Sequence, residues 1–176
     1  MTFLLRKFSY PKWEKNKGLS PDEFSADSIT GCTRTTANKL SVWRSETTDF
    51  KSDYVEKLIV ALATTMPSPA TIDLVWLKEE WFFEHGITLE DNPGDTKYES
   101  VNNLHSDIAN LNHRRLAMVG SHMLEQLEGA GNYLRVSKRE LISLVVKWME
   151  KEGEFTIEDL EEKWQEQLNK LFNLLR

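Results

Sequence analysis

Residues 53 to 77 read DYVEKLIVALATTMPSPATIDLVWL, and they carry two structural periods in succession. Val55, Leu58, Ile59, Leu62 and Met66 recur at helical spacing, which predicts an amphipathic helix over Asp53 to Thr65, closed by Pro67 and Pro69. From Thr71 to Leu77 the chain is apolar, β-branched and aromatic without a helical stripe, as in a buried strand. A helix and a buried strand separated by a short proline-bearing connection call for a mixed fold. The class expected is α+β, with a small, mostly N-terminal sheet covered by helices and followed by a helical C-terminal extension.

Outward from this stretch, Phe3 to Phe8 is rich in strand formers, and its adjacent Arg6 and Lys7 suit an edge strand. Lys12 to Ser25 reads as a connection held by Trp13, Leu19 and Phe24. Lys39 to Arg44 alternates, with Leu40 and Val42 on one face and Ser41 and Trp43 on the other, giving a second strand. Lys78 to Gly86 reads as a short helix stopped at His85 and Gly86, with one more strand near residues 87–90. Asn92-Pro-Gly-Asp95 is a loop signal. From Ser100 to Leu127, Val101, Leu104, Ile108, Leu111, Leu116, Val119, Met123 and Leu127 predict one long helix interrupted at Gly120. Glu128-Gly-Ala-Gly-Asn132 reads as a flexible break, which divides the chain into residues 1–130, an α+β core domain, and residues 131–176, the helical extension. In the extension, Ser137-Lys-Arg-Glu140 is a capping box and Thr156-Ile-Glu-Asp159 its analogue, each predicting a helix start. The stripes that follow are Leu141, Leu144, Val145 and Trp148, then Leu160, Trp164, Leu168, Leu171, Phe172 and Leu175.

The chain has 176 residues, of which 40% are hydrophobic and 28% charged, and its formal charge is −6. That suits a folded domain and opposes non-specific attraction to nucleic acid or anionic membrane. Its single cysteine, Cys32, excludes an intrachain disulfide and points to a reducing, cytoplasmic setting. No run approaches the length of a membrane span or of a signal-peptide core.

Ala26 to Glu46, ADSITGCTRTTANKLSVWRSE, is dense in short polar side chains that bury poorly without partners, so it is either a structured loop or a site. Asp27, Arg34, Asn38, Lys39 and Arg44, joined by Arg6 from the first strand, form the polar set expected to converge on an anion or on the acidic segment of a partner. Trp43 is a potential aromatic anchor if exposed. The plainer account is that Asp27 and Asn38 cap turns and the arginines pair with nearby acids. A second anion site is offered by His105, His113, Arg114 and Arg115; on one helix, residues eight apart share a face too far apart to hold one metal. Cys32 has no histidine near it in sequence to activate it. The common catalytic motifs are missing, so no catalytic residue, cofactor or metal is assigned.

Two resemblances add to these readings. Leu5-Arg6-Lys7, Lys12-Trp13, Ala26-Asp27, Thr35, Asn38, Leu40-Ser41-Val42-Trp43 and Ala61-Leu62-Ala63 together resemble a family of small bacterial proteins with no established activity, which implies a bacterial cytosolic protein. Val136 to Arg176 is similar to the start of a winged-helix or helix-turn-helix domain, but Glu158, Asp159, Glu161, Glu162 and Glu166 would repel a duplex, so DNA is not expected as a partner. The expected function is a non-enzymatic binding or regulatory subunit, partnered by another protein subunit or by its own copy, in a bacterial assembly such as a conflict or defence system. The alternative is an enzyme acting on a nucleotide or phosphate-bearing substrate, which requires Arg34, Lys39, Arg44, His105 and His113 to line one cleft.

Overall fold

The computed structural model describes residues 1–33 and 36–174. In chain order the elements are β1 (Phe3–Phe8), α1 (Tyr10–Trp13), α2 (Ala26–Gly31), β2 (Leu40–Ser45), α3 (Asp53–Thr64), β3 (Ile72–Lys78), α4 (Glu79–Glu84), β4 (Thr88–Asp91), β5 (His105–Ala109), α5 (His113–Glu128), β6 (Tyr133–Val136), α6 (Lys138–Glu152) and α7 (Glu162–Leu174). The six strands form one sheet in the order β4-β5-β2-β1-β3-β6, antiparallel at every seam. The fold class is α+β.

Because side chains alternate across a strand, β1, β2, β3 and β6 feed two cores. Leu5, Trp43, Leu74 and Trp76 pack with α3, α6 and α7 on one face. Leu4, Phe8, Val42, Val75 and Ile108 pack with Trp13, Phe82 and α5 on the other. β1 lies between β2 and β3, not at the edge that its charges suggested. Leu4 and Leu5 are both fully buried, one on each face, and this two-sided burial outweighs the Arg6-Lys7 pair.

The single helix expected over Ser100 to Leu127 is instead a 3-10 turn (Glu99–Leu104), strand β5 and helix α5. Val101, Leu104, Ile108 and Leu111 mimic a helical period by coincidence. The breaks are written in asparagine: Asn110 adopts φ +56°, a left-handed conformation that asparagine tolerates, and Asn112 caps α5 by accepting from the Arg115 N–H. The polar stretch after Phe24 begins as α2, capped by Ser25. The Thr156 box starts a 3-10 turn (Ile157–Asp159), and α7 follows it. Leu175 lies outside the described residues.

The segment expected to be a helical extension is tied to the sheet by β6, which pairs with β3 from Ile72↔Val136 to Val75↔Tyr133. Asp73 fastens this seam: it accepts from Arg135 Nε at 2.8 Å, the Tyr133 hydroxyl at 2.7 Å and the Tyr10 N–H at 3.2 Å. Leu141, Val145, Trp148, Trp164 and Leu168 then enter the same apolar cluster as α3. Trp148 Nε1 donates to Glu56 at 2.9 Å, and the ammonium groups of Lys57, Lys147 and Lys151 lie 4.3–5.1 Å from its ring. This cation-lined tryptophan joins α6 to α3.

On the opposite face the Trp13 ring lies against Gly120 in the middle of α5, where an added Cβ would collide with three ring atoms. Alanine at an open helical position stabilises by up to about 1 kcal/mol, whereas overpacking a rigid core costs about 1–3 kcal/mol. Since Trp13 is fully buried, Gly120→Ala is expected to lower stability by about 1–3 kcal/mol in urea unfolding; a stabilising result would show that the ring can move.

Candidate functional site

At one end of the sheet the seam between β1 and β2 opens. Pairing runs Phe3↔Ser45, Leu4↔Arg44, Leu5↔Trp43 and then stops. Continued register would set Lys7 opposite Ser41, but the Ser41 carbonyl accepts from Arg6 Nη1 at 2.7 Å. A side-chain guanidinium thus occupies an acceptor that the ladder would use. The opening leads into a cleft of about 410 Å³ lined by Arg6, Thr36, Ala37, Lys39, Leu40, Ser41, Asn92 and Asp107.

The turn above the cleft is held in a rare conformation. Ala37 and Asn38 have φ +52° and +58°, and the Lys39 N–H donates to the Thr36 carbonyl at 3.1 Å, which defines a type I′ turn. Left-handed backbone at alanine costs about 1 kcal/mol, so the surroundings must enforce it. They do so through Leu111, whose N–H donates to the Asn38 carbonyl at 3.0 Å and ties the turn to the end of β5.

Charges in the cleft are partly matched. Asp107, nearly buried, accepts from Asn92 Nδ2 at 2.6 Å and from the Ser41 hydroxyl at 3.4 Å. Lys39 pairs with Glu90 at 2.6 Å, and that hydrogen bond raises its pKa. Burial lowers the pKa of Arg6, opposed by the charge of the Asp107 carboxylate. Guanidinium remains charged under such a shift, so a half-buried cation with several donors faces a polar recess. Cys32 is half-buried and accepts from the Ser9 N–H at 3.0 Å, a structural use of its sulfur.

The expected site residues converge only in part. Lys39 lines the cleft with Arg6, and Asn38 forms its turn. Asp27 is exposed in the first turn of α2. Arg44 points to the other face of β2, where it pairs with Glu79 at 3.0 Å and with Asp91. Trp43 is 4% exposed and Trp13 fully buried, so neither is a surface anchor. Arg34 lies outside the described residues.

The second set disperses further. His105 begins β5 rather than lying on a helix, packs edge-on against Trp43 and contacts the Asn92 carbonyl. Arg115 donates to the Asn110 carbonyl at 2.8 Å. His113 and Arg114 line a separate cleft of about 800 Å³ beside Pro21 and Ile29. Sequence reading missed Asn92 as a site residue; its only signal was the Asn-Pro-Gly loop. Among the described residues, no group of three His, Cys, Asp or Glu side chains lies close enough to hold a metal ion.

Compared with known proteins, the chain matches no family model, no curated protein and no solved structure.

The histidine most perturbed by its surroundings is remote from the cleft. His122 is 1% exposed, stacked on Trp81 at 4.2 Å, and its Nε2 accepts from the Lys78 N–H at 3.2 Å. Its proton therefore sits on Nδ1, which lies 3.5 Å from Glu125 without a well-aligned bond. Burial, helped by the charges of Lys78 and His85, lowers its pKa from 6.5 to about 4. The unfolded chain takes up a proton below pH 6.5 that the folded chain refuses until about 4. Stability is thus complete above that window and falls as pH drops through it, by on the order of 3 kcal/mol. His122→Phe, which keeps a ring against Trp81, is expected to remove this component from the difference between pH 4 and pH 7 unfolding curves; an unchanged difference would contradict it.

Proposed function

We propose that the protein is a non-enzymatic binding or regulatory subunit, and that the cleft at the open β1–β2 seam recognises an acidic group presented by a partner protein. One observation carries this reading: the half-buried guanidinium of Arg6 donates to the Ser41 carbonyl at the mouth of the seam, beside Lys39 and under a strained, tethered turn. Positioned donors on rigid strands suit recognition. No histidine or cysteine is among the described residues lining the cleft, and its hydroxyls, Thr36 and Ser41, have no imidazole to activate them.

The competing enzyme reading required Arg34, Lys39, Arg44, His105 and His113 to share a cleft; Arg34 lies outside the described residues, and the other four do not share one. Their dispersal over both faces of the sheet and two separate recesses weighs against it. A bacterial cytosolic assembly, of the operon-encoded conflict or defence kind, is the proposed setting; the resemblance of the N-terminal part of the chain supports its bacterial and cytosolic part.

Affinity capture of the tagged chain at native expression tests the proposal. The expected result is a stoichiometric protein partner whose recovery falls about tenfold with Lys39→Glu, a change on a partly exposed side chain that reverses the cleft's charge. Recovery of no stoichiometric partner, with the chain monomeric by sedimentation, would overturn it.

A further inference from the structure

A second surface lies at the far edge of the sheet, beyond the cleft. β6 ends the strand order, so among the described residues one side of it has no neighbouring strand. The Trp76 N–H donates to the Asn132 carbonyl at 2.9 Å, in register with the β3–β6 pairs. Alternation of the antiparallel ladder therefore turns the main-chain groups of Leu134 and Val136 toward β3 and those of Tyr133 and Arg135 outward. An open edge of this kind is a template for a further strand.

Beside this edge runs a trough of about 390 Å³ between β6 and α6, floored by Leu134, Val136 and Leu144. A second groove of about 490 Å³, between α6 and α7, shares Arg139 and Ser143 with the first. Five cations line the two: Arg135, Lys138, Arg139, Lys147 and Lys170. The one carboxylate among the described lining residues, Glu140, is engaged by the Ser137 N–H at 2.8 Å. Arg135 and Lys147 also hold Asp73 and Glu56, while no ion pair joins Lys138, Arg139 or Lys170 to a described residue. In a chain of net charge −6 this is a concentration of the opposite sign.

We propose that the outer edge of β6 accepts an extended segment of a partner protein, alternating apolar and acidic residues, as an added strand. Its apolar side chains enter the trough on the α6 side, beside the charges of Arg139 and Lys147 at its rim, and its carboxylates meet Arg135 on the other face. A second copy is disfavoured as the occupant because a two-fold pairing of β6 edges would bring the same cationic groups together. The inference rests on the binding-subunit reading but uses a surface separate from the cleft.

The test is an NMR titration of the isotope-labelled full chain with a blocked heptapeptide of alternating Glu and Val. Expected are shifts at the Tyr133 and Arg135 amides and along Arg139 to Lys147, with affinity falling at least about tenfold for Arg139→Glu and for Ser143→Trp, which fills the trough. Lys39→Glu should leave this affinity unchanged, and the same peptide N-methylated at alternate residues should not bind. Both groove variants change exposed side chains, and either suffices if the other melts early. The proposal is overturned by absence of binding, by equal binding of a Lys-Val heptapeptide, by insensitivity to N-methylation, or by a dimer of the free chain that Ser143→Trp abolishes. If the heptapeptide fails while Lys39→Glu still releases a captured partner, the edge assignment falls and the binding reading stands.

Discussion

The hydrogen bond from Arg6 to the Ser41 carbonyl is the contact on which the candidate site depends. A charged side chain on a central strand of a sheet covered on both faces must find polar partners or reach water. Arg6 meets that requirement at the one place where a strand seam can yield, its end. It takes an acceptor from the ladder, so β1 and β2 part after Leu5 and Trp43. The gap is a polar recess that Asp107 and Asn92 complete from the neighbouring β5 and the loop after β4.

The rest of the molecule holds that end of the sheet rigid. β1 is clamped by six pairs to β3 on one side, so its parting from β2 does not unravel it. Each face of the sheet has its own core, with Trp13 against Gly120 on one and Trp148 between α3 and α6 on the other. The cleft and the β6 edge thus lie at two different margins of a sheet with little freedom in the middle.

What the sequence disclosed follows the length of its signals. α3 was plain because it carries one helical period and β3 because it is one nearly continuous apolar run, and the Ser137 capping box marked the start of α6 correctly. β6 went unseen: its four residues include an arginine and follow a glycine-rich segment that reads as a hinge. β5 was absorbed into a false helix because Ile108 and Leu111 happened to fall on the stripe, and the left-handed Asn110 that separates them leaves little trace. At the site, Arg6, Asn38 and Lys39 were legible as polar residues within strand and turn signals. Their partners were not, since Asp107 and Asn92 arrive through long-range pairing of β5 with β2 and β4. Arg44 and Trp43 misled because alternation alone does not say which face of a strand is open to solvent.

The opened seam is tested most directly by amide hydrogen exchange along β1 and β2. Exchange should be slow at Phe3, Leu5, Trp43 and Ser45, whose main-chain groups join the two strands, and orders of magnitude faster at Lys7 and Ser41, beyond the last pair. Equal protection from Phe3 through Lys7 and from Ser41 through Ser45 would mean that the ladder is continuous, that Arg6 does not part it, and that the cleft is not the site.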